Sequence, residues 1–200
     1  MRFCKSREKE AQLKSLGIMG SPRIKGNTNL LLDEALSGAQ SQGAEVEKLV
    51  VDKLKIAPCR EFYGCLRDGN CVIRDDMDDI YPKLLNADIV IVASPMFFYG
   101  LTSQVKALID RCQALWARKY ILKQTLPNSA RKGAFIAVGA TRGKKLFDGS
   151  IITVKYFFQS IGVRYVDELL IKGVDKKGEI KDHPTALSDA FELGKRLAQK

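Results

Sequence analysis

The sequence predicts a doubly wound α/β domain, a five-stranded parallel sheet with helices on both faces. Three observations predict it. Apolar strand-like stretches alternate with amphipathic helical patterns along nearly the whole chain. Five strands that alternate with helices on both sides need crossover connections, and crossovers make neighbouring strands parallel. The clearest strand, "DIVIVASP" at 88–95, is uncharged from Ile89 onward and β-branched, as a strand buried on both faces must be.

The elements follow in order. "LKSLGIMG" (13–20) is a short apolar strand, and "NTNLLLDEALSGAQ" is a helix with Leu32, Ala35, Leu36 and Ala39 on one face. "AEVEKLVVD" is the second strand, and "RDDMDDIYPKLLNA" is a short helix leading into "DIVIVASP". "LTSQVKALIDRCQALWARKY" reads as one long helix facing inward through Val105, Leu108, Ile109, Cys112 and Trp116. "KGAFIAVGA", "DGSIITVKYFFQSIG" and "VRYVDELLIKG" continue the alternation, and a last helix starts near Thr185 with Leu187, Ala190, Phe191 and Leu197 inward. No internal repeat or low-complexity linker interrupts it.

At 200 residues and 46% hydrophobic, the chain can bury a full core in one domain. The expected division is a polar N-terminal extension over 1–12 and a single domain over 13–200. No apolar run approaches the roughly 20 residues of a membrane span, and "MRFCKSREKEAQLK" lacks the apolar stretch of a secretory signal. A cytoplasmic protein with no membrane partner is expected. Its 5 cysteines are then thiols rather than a disulfide framework. The net charge of +10 favours anionic ligands, but the basic residues are dispersed among acids with no aromatic-flanked recognition motif. A solvated surface explains them, and no nucleic-acid partner is expected.

In a sheet of this kind the ligand sits outside the carboxyl ends of the strands, where strand order reverses. The loops after the first, third and fourth strands are therefore the candidates. The first, "GSPRIKGNTNL", runs into a helix capped by Asn27 or Thr28 and aims unpaired backbone N–H groups at one spot. Ser21, Thr28, Asn27 and Arg23 can all donate there, and a guanidinium suits a phosphate because it donates two parallel bonds. The dinucleotide and P-loop fingerprints are both absent. The third-strand loop, "SPMFFYGLTSQ", sets Met96, Phe97, Phe98 and Tyr99 where a solvated loop would be polar. They suit either the wall of a flat aromatic ligand or a subunit interface, and both can hold. After the fourth strand, "VGATRGKK" supplies Gly139 and Gly143, which would let the backbone approach a ring edge. A phosphate pocket, an aromatic wall and a glycine loop at one end of a parallel sheet describe a flavin mononucleotide (FMN) site.

With these residues in place, the sequence resembles the NADPH-dependent FMN reductase and iron–sulfur flavoprotein group of flavodoxin-like proteins. The resemblance covers nearly the whole chain from about Leu16 and rests on "GSPRIKGNT", "PCREFYGC…NCVIRDDM", "ASPMFFYGLTSQVKALIDR" and "KGEIKDHPTALSDAFELGKRLA". It implies a 2-1-3-4-5 sheet, noncovalent FMN, reduction by NAD(P)H, and a homodimer or homotetramer. It also implies FMN phosphate on Ser21, Arg23, Asn27 and Thr28. The flavin ring would lie against Pro95, Met96, Phe97, Phe98 and Tyr99, with Gly139, Ala140, Thr141 and Gly143 along its other edge. No protein acid or base is required, because the hydride chemistry belongs to the cofactor. His183, the only histidine, reads as a surface or helix-start residue.

"APCREFYGCLRDGNC" puts Cys59, Cys65 and Cys71 at an even spacing of six. In the iron–sulfur branch this loop carries four cysteines, and here Phe62 stands at the second position. A cubane cluster normally takes four thiolates. Three can hold one with an open iron, but the favoured reading is a loop without a cluster, with Cys4 or Cys112 able to help only by folding close. The expected function is an FMN-dependent NAD(P)H oxidoreductase passing electrons to a quinone, a flavin or a redox protein. The alternative is an electron carrier reduced by a ferredoxin-like partner.

Overall fold

The computed structural model describes residues 12–126 and 130–199. The strands β1 (Lys14–Met19), β2 (Glu45–Val50), β3 (Ile89–Pro95), β4 (Lys132–Gly139) and β5 (Arg164–Lys172) form one sheet in the order β2-β1-β3-β4-β5. Every pairing is parallel, with Ile18 between Leu49 and Val92, and Val92 in turn beside Phe135. The helices are α1 (Asn27–Ser41), α2 (Cys65–Asp68), α3 (Met77–Asn86), α4 (Ser103–Arg111), α5 (Gln113–Tyr120), α6 (Asp148–Ser160) and α7 (Ala186–Ala198). Most of the expected extension, including Cys4, lies outside the described residues.

Two cores flank the sheet. Ile89, Ile91 and Ala93 face one built with Leu31, Leu32 and Ala35 of α1 and Ala190, Leu193 and Leu197 of α7. Val90 and Val92 face the other, with Ile80 and Leu84 of α3, Val105 and Leu108 of α4, and Phe157 of α6. The period of two along β3 thus fills both layers, which is why that strand carries no charge. β2 and β5 are the edges and alternate exposed polar residues such as Glu45 and Arg164 with partly covered ones.

The expected long helix is broken at Cys112. Tyr81 Oη donates to the Arg111 carbonyl at 2.8 Å, and Leu115 N instead reaches the Cys112 carbonyl at 2.9 Å. An inserted side chain has taken a carbonyl from the helical ladder. The inward face after the break is Ala114, Leu115 and Ala117, with Trp116 half-buried and its ring tilted against that of Tyr120, centroids 5.7 Å apart.

Arg131, 1% exposed, lies just before β4 at the amino edge of the sheet. Its guanidinium donates to the carbonyls of Ala87 and Ile161, each at 2.6 Å, and to that of Leu84. One side chain therefore ties together the ends of α3 and α6, whose last carbonyls have no partner within their own helices.

Candidate functional site

At the opposite, carboxyl edge, β1 gives way to a turn stabilised by Gly26 N donating to the Arg23 carbonyl (3.0 Å) and Arg23 N donating to Ser21 Oγ (3.2 Å). Gly26, in extended conformation, is the N-cap of α1, and no side chain caps it. The caps expected from Asn27 or Thr28 are thus not formed. The first-turn N–H groups of α1 have no partner within the helix. Beside them sit two hydroxyls, Ser21 at 4% and Thr28 at 2% exposure. Uncapped amides, hydroxyls and the Arg23 guanidinium are the donor set that a phosphate monoester needs. The residues present fit the phosphate end of FMN.

Few bonds knit the neighbouring loops to this turn. Thr102, fully buried, donates through Oγ1 to the Gly20 carbonyl at 2.8 Å and accepts from Val105 N as the N-cap of α4. Met96 N donates to the Val138 carbonyl at 2.8 Å, and Ser150 Oγ lies 3.3 Å from Met96 Sδ. Thr102 and Ser150 were not expected from the sequence, since their partners Gly20 and Met96 lie 82 and 54 positions away along the chain.

A cleft of about 90 Å³ opens between these loops. Ser21, Arg23, Asn27 and Thr28 line it together with Pro95, Met96, Phe97 and Ala140. Phe98, Tyr99, Gly139, Thr141 and Gly143 do not. Phe98 and Tyr99 are the two central residues of a tight turn closed by Phe97 N to Gly100 O (3.0 Å) and Gly100 N to Phe97 O (2.9 Å). Both have positive φ, 49° and 62°, the type I′ arrangement usually given to Asn-Gly. The turn holds Phe98 wholly in solvent and Phe97 and Tyr99 about half out of it.

The two glycines have packing reasons to be glycine. A Cβ at Gly143 would lie 2.2 Å from the Tyr99 hydroxyl, so that ring lies on the loop after β4. A Cβ at Gly139 would meet Leu146 at 2.5 Å, and the Gly139 carbonyl accepts from Gly173 N at 2.7 Å.

The loop after β5 also reaches the cleft, through Val174, Asp175 and Lys177. "KGVDKKGEIK" reads in sequence as a solvated charge run, which concealed this role. Asn27 spends its carboxamide there, donating to the Lys176 carbonyl (2.9 Å) and accepting from Ile180 N (3.2 Å). His183 Nδ1 accepts from Ala186 N at 3.1 Å, at the start of α7.

A roomier cavity of about 370 Å³ lies at the cysteine loop, lined by Cys59, Cys65, Cys71, Phe62 and Tyr63. Two arginines fasten this loop. Arg111, 1% exposed, donates to the Ala57 and Ile73 carbonyls at 2.9 and 3.0 Å and pairs with Asp75 at 2.5 Å. Arg118 donates to the Gly69 carbonyl and to Asn70 Oδ1, both at 2.8 Å. Burial alone would raise the Asp75 carboxyl, but Arg111 and the N–H groups of Ala57 and Met77 outweigh it and hold it below the usual range. Burial, then the neighbouring Cys71, pushes the Cys65 thiol up.

Phe62 is 56% exposed, with the Arg60 guanidinium 5.1 Å from its ring centroid. Among the described residues no group of three His, Cys, Asp or Glu is placed to hold a metal ion. Cys112 is sealed in the core, and Asp75 and Asp76 are spent on the backbone N–H groups of Ala57 and Lys55. Among the described residues the loop thus offers three thiolates, one fewer than a four-thiolate cluster takes.

An all-parallel sheet in this order, with an uncapped helix start following its first strand, defines a protein of the flavodoxin-like class. The model of the NADPH-dependent FMN reductase family matches residues 13–148, and the chain belongs to that family of FMN-dependent oxidoreductases. It is 34% identical to an iron–sulfur flavoprotein of Methanocaldococcus jannaschii over 94% of this chain and 96% of the relative. A Bacillus subtilis protein named for NAD(P)H-dependent, FMN-containing oxidoreductase activity is 29% identical over 90% of this chain and 95% of its own. The NAD(P)H:quinone oxidoreductase of Methanothermobacter marburgensis shares the fold at a TM-score of 0.74 and 16% identity, covering 95% of this chain and 99% of that one. Among the described residues no helix is long and apolar enough to cross a membrane.

Proposed function

We infer that the chain is a cytoplasmic NAD(P)H oxidoreductase that holds FMN in the cleft at the carboxyl edge of its sheet and delivers electrons to a diffusible acceptor such as a quinone or a flavin. FMN, when bound, supplies the chemistry, accepting hydride from the nicotinamide and passing electrons on. The observation that carries this reading is the uncapped start of α1 beside the buried hydroxyls of Ser21 and Thr28. The protein's part is to bind and orient. The α1 amides, both hydroxyls and Arg23 take the phosphate, while Pro95, Met96 and Phe97 cover the apolar side of the ligand. The exposed aromatic turn serves a second copy of the chain, consistent with the exposed Ile152 and Tyr156 on α6. The iron–sulfur names of relatives would favour electron carriage instead, but with Phe62 at the second cysteine position a cluster in this loop would rest on three thiolates and leave one iron open.

The test has two parts. Arg23→Ala should weaken FMN about tenfold, as expected for a lost charge-assisted pair, and leave riboflavin nearly unaffected. The purified yellow protein should bleach when NADPH or NADH is added without oxygen. Equal losses for both flavins would remove Arg23 from the phosphate, and a flavin unreactive toward both nucleotides would overturn the oxidoreductase assignment.

A further inference from the structure

The loop after β5 is exposed, yet it is fixed at both ends. The Glu179 carboxylate accepts from Asp175 N and Lys176 N, each at 2.8 Å, and these two N–H groups hold that carboxyl below its usual range. At its start, Gly173 N is tied to the Gly139 carbonyl of β4 at 2.7 Å. The cross-link to the first loop is the Asn27 carboxamide, which bonds Lys176 and Ile180 at the two ends of the turn. Gly173 and Gly178 take the positive φ values, 75° and 83°, that the turn needs. An exposed segment that spends this many bonds on its own shape is preorganised, and the charged side chains it presents to the cleft, beside Val174, are Asp175 and Lys177.

We propose that this loop, latched to the start of α1 by Asn27, is a wall of the phosphate end of the cleft, and that Lys177 supplies a second cation to the FMN phosphate. The proposal rests on the FMN reading above. A phosphate monoester carries about −1.5 to −2 charges at neutral pH, so Arg23 alone leaves it undercompensated. Lys177 makes no ion pair elsewhere among the described residues. Asp175 would repel a bare anion but can accept from a hydroxyl, so the pair suits a phosphate ester bearing a polyol chain. Asn27 is then a positioning residue. Its carboxamide acts on the phosphate through Lys177.

Titration of the full-length, flavin-free protein with FMN and with riboflavin, followed by flavin fluorescence, tests this. Lys177→Gln should weaken FMN by roughly tenfold and riboflavin by less than about twofold, and Lys177→Arg should restore most of the loss. Asn27→Ala should weaken FMN similarly. In that background Lys177→Gln should add less than about twofold, because an ammonium no longer held in place has little left to lose. Unchanged FMN affinity in Lys177→Gln, equal losses for riboflavin, or two fully independent effects would each overturn the proposal while leaving the cofactor reading intact. Wild-type protein with no preference for FMN over riboflavin would sink both.

Discussion

Gly194→Ala should destabilise the protein, against the rule for glycine inside a helix. Helix propensity alone favours alanine by about 1 kcal/mol. At position 194, however, a Cβ would lie 1.8 Å from the Ala35 carbonyl oxygen and 2.7 Å from its carbon, both in the backbone of α1. The reciprocal contact is equally close, with a Cβ at Gly38 lying 2.0 Å from the Phe191 carbonyl oxygen of α7. No rotamer change can relieve a backbone clash. A carbon and a carbonyl oxygen approach to about 3.3 Å, so α1 and α7 must part by roughly 1.5 Å. Overpacking of that kind costs about 1–3 kcal/mol or somewhat more, and separating the helices loosens the core between them. Setting about 3 against the gain of about 1 leaves a net loss near 2 kcal/mol, a fall in Tm of about 4–8 °C for a chain of this size. Because α1 also carries the cleft amides, FMN should weaken too. Thermal unfolding of the two proteins, with and without FMN, measures both effects. A higher Tm for Gly194→Ala would refute the reasoning.

Three further outcomes are expected. Phe98→Ser should shift the protein toward the monomer in sedimentation, since it removes the most exposed aromatic of the turn; an unchanged oligomer would assign the interface elsewhere. Anaerobically purified wild-type protein should contain stoichiometric FMN and negligible iron and sulfide, whereas Phe62→Cys should gain cluster assembly on reconstitution; near four irons per wild-type chain would overturn that. The Asp75 carboxyl is depressed in the folded state, so its contribution to stability is full above the unfolded value of about 3.9 and is lost as pH falls through the lower folded value. Urea midpoints from pH 5 down to 2 should drop more steeply in wild type than in Asp75→Asn, and parallel curves would count against the Asp75–Arg111 pair.

The sheet was readable because β3 and β4 are continuous apolar runs, and the start of α1 falls where the sequence put it, although Gly26 rather than Asn27 or Thr28 stands at its cap. What escaped the sequence depends on partners far along the chain. Arg111 looks like a polar position on a helix, and its burial makes sense only once Ala57, Ile73 and Asp75 supply acceptors 36 or more positions away. The break at Cys112 has no glycine or proline to announce it, because Tyr81 makes it from α3. Asn27 reads as a cap, yet its carboxamide is taken by a loop 149 residues distant. The lysines of that loop look like ordinary solvated charge until the cleft is assembled.

The placement of Arg131 bears on how such a chain can change. Its three carbonyl partners fasten two helices of one layer to the amino edge of the sheet, while the cleft lies at the carboxyl edge. The turn at 97–100 and the loop at 173–178 can therefore be rewritten without touching the joint that keeps α3 and α6 in place. Substitutions at the rim of the cleft therefore fall outside the joint, so what surrounds the ligand and what fastens the helices need not vary together.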